Sequence, residues 1–143
     1  MSDKVIFIDS NIWLYRLLAD QDPDPQEDAR KRGIAIALTE REGIIVSTQI
    51  INEVCSVLIR RGGLNDFQIL DLIEDFETHC TIIELTTSTL KQAANLRIQY
   101  NFSFWDSLIV STALSGGASI LYSEDMQDSL LIAHQLKIVN PFK

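Results

Sequence analysis

Val5-Ile6-Phe7-Ile8-Asp9-Ser10-Asn11 is the stretch on which the architecture turns. Its first four residues are apolar and rich in β-branching, with no polar alternation. That pattern predicts a strand buried on both faces, as at the centre of a parallel sheet. The run breaks at Asp9, and the Asp, Ser and Asn that follow can cap a helix starting near Ile12.

The same alternation continues outward. Ala19-Asp20-Gln21-Asp22-Pro23-Asp24-Pro25 is an acidic, proline-punctuated loop, ahead of a helix expected from Gln26 to Arg41 and closed by Gly43. Ile44-Ile45-Val46 makes a second buried strand. Ser47 or Thr48 opens a helix ending at Gly62-Gly63, and Asn65 opens another, with Phe67, Leu70, Ile73 and Phe76 at helical spacing. Thr81–Leu85 is strand-like, Thr86 starts a helix to Tyr100, and Trp105, Leu108, Ile109, Thr112 and Ala113 form a helical stripe stopped by Gly116-Gly117. Ser119–Tyr122 and Lys137–Val139 complete the strands. On the first helix, Trp13, Tyr15, Leu17 and Leu18 are expected in the core. Strands alternating with helices predict right-handed crossovers and an α/β fold, a mainly parallel sheet covered on both sides.

With 143 residues the chain suits one domain, taken here as 1–143. Composition is that of an ordinary soluble domain, 46% hydrophobic and 22% charged. No apolar run approaches the roughly 20 residues of a membrane helix, and Met1-Ser2-Asp3-Lys4 shows no signal-peptide pattern. No membrane association is expected, and the expected location is cytoplasmic. Cys55 and Cys80 lack metal-site spacing and read as buried reduced thiols; His79 and His134 are isolated. The net charge of −8 argues by itself against a nucleic-acid partner, whose phosphates usually demand basic side chains. It ceases to do so if several carboxylates carry divalent cations.

Four acids escape the core pattern. Ligands of parallel sheets lie beyond the carboxyl ends of the strands, where strand order reverses. Asp9 ends the first strand there, and Asp125 follows Ile120-Leu121-Tyr122. Asp106 begins a helical face that is otherwise apolar, through Ile109, Val110 and Ala113. Glu53 lies in the second turn of its helix between Ile50 and Val57. Each acid alone also fits a bland role. Asp9 serves as an N-cap, Asp106 as a first-turn acid favoured by the helix dipole, Glu53 as a solvated surface group and Asp125 as a turn residue. Asp128 shares the local face of Asp125 if that turn is helical. Brought together, the four would repel, each pair about 4 Å apart costing on the order of 4 kcal/mol at an effective dielectric near 20. They would then raise their pKa values or bind a cation. Oxygen ligands without Cys or His select magnesium or manganese, and such an ion favours hydrolysis at phosphorus.

Phe7-Ile8-Asp9-Ser10-Asn11-Ile12, Asn52-Glu53, Phe104-Trp105-Asp106-Ser107-Leu108-Ile109 and Leu121-Tyr122-Ser123-Glu124-Asp125-Met126-Gln127-Asp128 occur in this order, followed by Ile138-Val139-Asn140-Pro141-Phe142. Over essentially the whole chain this resembles the PIN-domain ribonucleases, and within them the VapC-type toxins of type II toxin–antitoxin pairs. The resemblance implies a three-layer α/β/α PIN-like domain. It implies Asp9, Glu53, Asp106 and Asp125 as catalytic, magnesium-binding acids, with manganese as substitute, Asp128 as an auxiliary ligand, and Ser123 and Asn11 in support. It further implies an RNA substrate, a homodimer and a cognate antitoxin. Ser10 and Ser123 stand where threonine is common, and Ser129 where glycine often follows the last acid, which bears on the geometry around Asp128.

Three other readings compete. One is a PIN-type nuclease of RNA processing without an antitoxin. Another is a non-catalytic PIN-like interaction module. The third is a haloacid-dehalogenase-like phosphatase, for which Asn11 stands where a second Asp is needed. Basic clusters are few: Arg30-Lys31-Arg32 and Arg60-Arg61, each read as a solvated helix face or helix-end charges, with Arg60-Arg61 also read as an exposed pair able to contact RNA.

Overall fold

A computed structural model describes residues 4–143; Met1, Ser2 and Asp3, part of the stretch read for a signal-peptide pattern, lie outside the described residues. The chain runs β1 (Ile6–Ile8), α1 (Ser10–Leu17), α2 (Pro25–Thr39), β2 (Ile44–Ser47), α3 (Thr48–Gly62), α4 (Asp66–His79), β3 (Thr81–Ile83), α5 (Thr87–Gln99), α6 (Phe104–Ser115), β4 (Ile120–Tyr122), β5 (Leu131–Ile132) and β6 (Leu136–Val139).

The strands form one sheet in the order β3-β2-β1-β4-β6-β5. All neighbouring pairs are parallel except β5 with β6. Ile6, Phe7 and Ile8 are all fully buried. Since successive side chains point to opposite faces, both faces of β1 are covered, and the fold is a three-layer α/β/α sandwich. Helices α1, α2, α3 and α4 pack in one group and α5 against α6 in another. Among the described residues no helix is long and apolar enough to cross a membrane.

Capping chemistry sets most helix starts. Ser47, Asn65, Thr86 and Ser103 each accept a backbone N–H of the first turn, and Asn65 and Thr86 close full capping boxes. Helix α1 begins at Ser10, two residues earlier than the sequence suggests, because Asp9 itself is the cap. Gly116 ends α6 where space demands it: a Cβ there would stand 2.3 Å from Ile83 Cδ1 and 2.5 Å from Ile45 Cδ1. Gly43, at φ +76°, passes beneath the Lys4 carbonyl and accepts the Ile6 N–H at 3.0 Å, which seats β1 beside β2.

Several expectations need correction. Strand β5 and its hairpin were not legible, because in the three-residue turn Ala133–Gln135 the first two residues have φ of 52° and 55° without the usual Asn or Gly. The α4 stripe is helical, yet Phe67 is 81% exposed and Leu70 53%; only Phe76 is buried, its ring 5.0 Å edge-on to Trp13. Trp105 is half exposed rather than part of the α6 core stripe. Cys55 is buried but Cys80 only partly so; both are free thiols. On α1, Trp13, Tyr15 and Leu18 are in the core and Leu17 is partly buried against it.

Candidate active site

Strand order reverses between β1 and β4: the chain steps from β1 to β2 and β3 on one side, then returns to β4 on the other. Asp9 and Ser123 each follow directly from these two neighbouring strands. The pairing continues one step beyond β1, with the Asp9 N–H on the Tyr122 carbonyl at 2.9 Å.

Asp9 is 5% exposed, and each of its carboxylate oxygens accepts a hydrogen bond from the chain. Oδ1 accepts the Ser10 N–H at 2.7 Å, and Oδ2 accepts the Ser123 hydroxyl at 2.8 Å. Ser123 is itself fully buried. Burial pushes the Asp9 carboxyl up to about 6; the bonds from Ser123 and Ser10 oppose this, and the charges of Glu53 and Asp106 add to it. Asp106, in the first turn of α6, is also raised, chiefly by burial and further by Asp125, with Ser103 opposing. The four acids are thus linked by mutual repulsion: Asp9 feels Glu53 and Asp106, and Asp106 feels Asp125.

The other two acids are held by side chains from elsewhere. Asn11 donates from Nδ2 to Asp125 Oδ2 at 3.0 Å and accepts the Glu124 N–H at 3.5 Å, so it clamps the loop after β4 to the start of α1. Glu53 Oε2 accepts the Trp105 indole N–H at 3.3 Å. One turn earlier on α3, Gln49 reaches from Nε2 to the Trp105 carbonyl at 3.4 Å. Helices α3 and α6 therefore meet at the carboxyl edge of the sheet. Gln49 Oε1 is the one buried side-chain polar atom without a partner among the described residues.

Asp128 has a backbone partner of its own. The segment after Asp125 is not helical, so no shared helical face forms; Asp128 Oδ1 accepts the Asn140 N–H at 2.7 Å and ties the segment after β6 to this loop. Ser129 has φ 65°, the left-handed region that favours the glycine expected from the resemblance, and its N–H bonds the Ile138 carbonyl at 2.8 Å. The local geometry survives the substitution at a modest backbone cost, about 1–2 kcal/mol.

Donor chemistry fits a hard divalent cation: Asp9, Glu53, Asp106 and Asp125 offer only oxygen, with no Cys or His nearby. Among the described residues, no three Asp, Glu, His or Cys side chains stand close enough to hold one metal ion as placed. Three of the four carboxylates are turned onto donors of the chain: Ser10 and Ser123, Trp105, and Asn11. A cleft of about 540 Å³ lies elsewhere, lined by Arg16, Glu40, Arg41, His79 and others at the amino ends of β2 and β3, and holds none of the four acids.

Residues 6–129 match the family model described as the PIN domain. The chain belongs to the PIN-domain family. Solved structures with this fold include a toxin–antitoxin complex from Klebsiella pneumoniae, 18% identical, covering 96% of this chain and 98% of that one at a TM-score of 0.63. VapBC2 from Rickettsia felis, bound to a DNA fragment from its promoter, is 16% identical over 95% of this chain and 99% of that one, TM-score 0.62. VapC20 of Mycobacterium tuberculosis, a sarcin–ricin loop cleaving toxin, is 18% identical over 81% and 86%, TM-score 0.59. No curated protein matches the chain in sequence.

Lys31 and Arg32 of the basic run turn inward in this PIN domain, while Arg30 stays exposed. Lys31 Nζ lies 2.7 Å from Glu124 and 3.0 Å from Asp22, over the rings of Tyr15 and Phe142. Arg32 pairs with Asp28 at 2.8 Å and caps the Leu18 carbonyl, while Arg30 pairs with Glu27 and donates to the Phe142 carbonyl. Arg60 and Arg61 are exposed at the far end of α3, about 10–12 Å along the axis from Glu53. Arg61 donates to Gln21 Oε1. Sequence reasoning missed Gln49 and the bond from Trp105 to Glu53. The available signal was spacing: Gln49 and Glu53 are four apart on one helix, and Trp105 adjoins Asp106.

Proposed function

We propose that this chain is a magnesium-dependent endoribonuclease of the toxin kind, cleaving RNA phosphodiester bonds in the cytoplasm and neutralised by a cognate antitoxin. Asp9 carries the reading. It is buried just past the end of β1 at the reversal of strand order, pushed up to about 6, and faced by Glu53 and Asp106 rather than by a cation of the chain. An acid kept in that state is stabilised by a bound cation, and the nearby oxygen donors suit magnesium, with manganese as substitute. The three solved toxins and toxin–antitoxin complexes with this fold support the toxin reading and the antitoxin partner.

Asp9, Glu53, Asp106 and Asp125 would hold the ion, with Asp128 as an auxiliary through the oxygen that Asn140 leaves free. When bound, the ion supplies positive charge to the scissile phosphate and acidifies a water for attack. Ser123 and Ser10 fix the orientation of Asp9, and Asn11 fixes Asp125. Trp105 and Asn11, which donate to Glu53 and Asp125, would steady those two carboxylates at the site. The reading includes a homodimer, and distal contacts from Arg60 and Arg61 to the RNA strand.

The test is cleavage of mixed RNA by purified protein in EDTA, then with magnesium, manganese or calcium restored. Activity is expected with magnesium and manganese, little with calcium and none in EDTA. Full cleavage in EDTA overturns the mechanism.

A further inference from the structure

We propose that Trp105 is a stacking platform, on which an unpaired nucleobase of the substrate lies while the adjoining phosphate reaches the carboxylates. The inference rests on the nuclease reading above and names the residue that positions the RNA.

The first turn of α6 is open: Phe104 is 44% and Trp105 50% exposed, whereas the positions from Ser107 to Ala113 are all buried. An indole left half in water on a core helix forfeits much of its burial energy, which suggests use of the open face. The ring is also tethered. Its N–H is committed to Glu53 at 3.3 Å and its own carbonyl to Gln49 at 3.4 Å, so it is held before any ligand arrives. Stacking on a ring already fixed loses little side-chain entropy.

Charge points the same way. A chain of net charge −8 has little with which to attract phosphates. Arg16, Arg30, Lys31 and Arg32 are each engaged in ion pairs within the chain. Affinity for RNA beyond what the bound ion and the Arg60-Arg61 pair supply then draws on uncharged contacts, and base-on-aromatic stacking contributes about 1–3 kcal/mol per base. Because the indole edge bonds Glu53 directly and the next residue is Asp106, a base on this ring is within one nucleotide of a phosphate held by the four acids.

The protein carries two tryptophans, and Trp13 is 6% exposed, so quenching of intrinsic fluorescence reports on Trp105. The probes are a short fluorescein-labelled oligoadenylate and an abasic ribose-phosphate oligomer of equal length, titrated in calcium buffer and read by quenching and anisotropy. Oligoadenylate is expected to quench wild type, and Trp105→Ala to weaken its binding roughly 5- to 100-fold. Trp105→Phe keeps a stacking face but loses the bond to Glu53, and is expected to bind within about threefold of wild type. The abasic oligomer should bind weakly and equally to wild type and Trp105→Ala. Wild-type affinity in Trp105→Ala, equal wild-type binding of both oligomers, or no quenching overturns the proposal. Cleavage in magnesium separates the two readings. If Asp106→Asn stops cleavage while Trp105→Ala binds normally, stacking alone falls. If wild type cleaves no RNA, the nuclease reading falls, and the binding data still decide the platform.

Discussion

Two sets of carboxylates meet at the loop after β4, and they live under opposite electrostatics. Asp9 and Asp106 face burial and other acids, and both are pushed above the ordinary carboxylate range. One loop residue away, Glu124 joins Asp22 on Lys31, and Asp28 sits on Arg32. In that second set, Asp22 is lowered by the Asp24 N–H and then Lys31, and Asp28 by Arg32 and then the Asp22 N–H. Lys31 is held above its usual range, first by Glu124. The chain thus has cations on the α2 side and directs none of them to Asp9. Repulsion that neighbouring cations could have relieved is left in place, as expected where an external cation is to supply the charge. The paired set holds α2, the acidic loop before it and the β4 loop together.

The largest expected effect comes from neutralising the unpaired set. Asp106→Asn should lower cleavage at least about 100-fold, the scale for losing one well-placed electrostatic group, while far-ultraviolet circular dichroism stays unchanged. Wild-type rates in the folded variant would remove Asp106 from the site.

Next is the pH dependence of Asp9 in EDTA. Its folded carboxyl titrates at about 6 against an unfolded value of 3.8, so the folded chain binds more protons between these limits. The contribution of Asp9 to stability therefore falls as pH rises through that window and stays low above it. Asp9→Asn should match wild type near pH 4 and exceed it by up to about 3 kcal/mol at neutral pH. Urea unfolding at both pH values checks this; a difference that fails to grow with pH would contradict the burial argument.

Breaking the paired set should cost less. Lys31→Met keeps an apolar stem on Tyr15 and Phe142 but strands Asp22 and Glu124, whose side chains are 18% and 23% exposed. A loss of about 2 kcal/mol is expected in urea unfolding, below the fully buried case because water reaches the rim. A neutral result would show the ion pairs to be incidental.

The smallest effect is expected at Arg60 and Arg61, which belong to neither set. The double alanine variant should unfold like wild type and bind RNA only about two- to threefold more weakly, with a shallower salt dependence. Unchanged affinity and salt slope would discard the pair as RNA contacts.

Much of this contrast was legible in the chain, and unevenly so. Asp9 and Asp125 stood out because each follows an apolar run, and Asp106 because it opens an apolar helical face. The fate of Arg30-Lys31-Arg32 was not legible. A basic run on a helix looks the same whether it faces water or reaches across to Glu124. The partner of Asp128 was not legible either, since Asn140 lies beyond a hairpin whose turn has no sequence signature.

The sequence by itself determined the order of the helices and of every strand but β5, the caps Asn65 and Thr86, with Ser47 as one of two candidates for α3, and the four acids that no core pattern required. Those features rest on interactions within one strand or one helical turn, so periodicity and side-chain type suffice to read them. The tertiary structure alone decided which groups those acids meet. Ser123 reaches Asp9, and Asn11 reaches Asp125, across separations of 114 residues each. Lys31 turns inward, and Trp105 and Phe67 stay in water. Such partnerships depend on the parallel register of β1 against β4 and on how helices cross, and no local pattern in the chain encodes either.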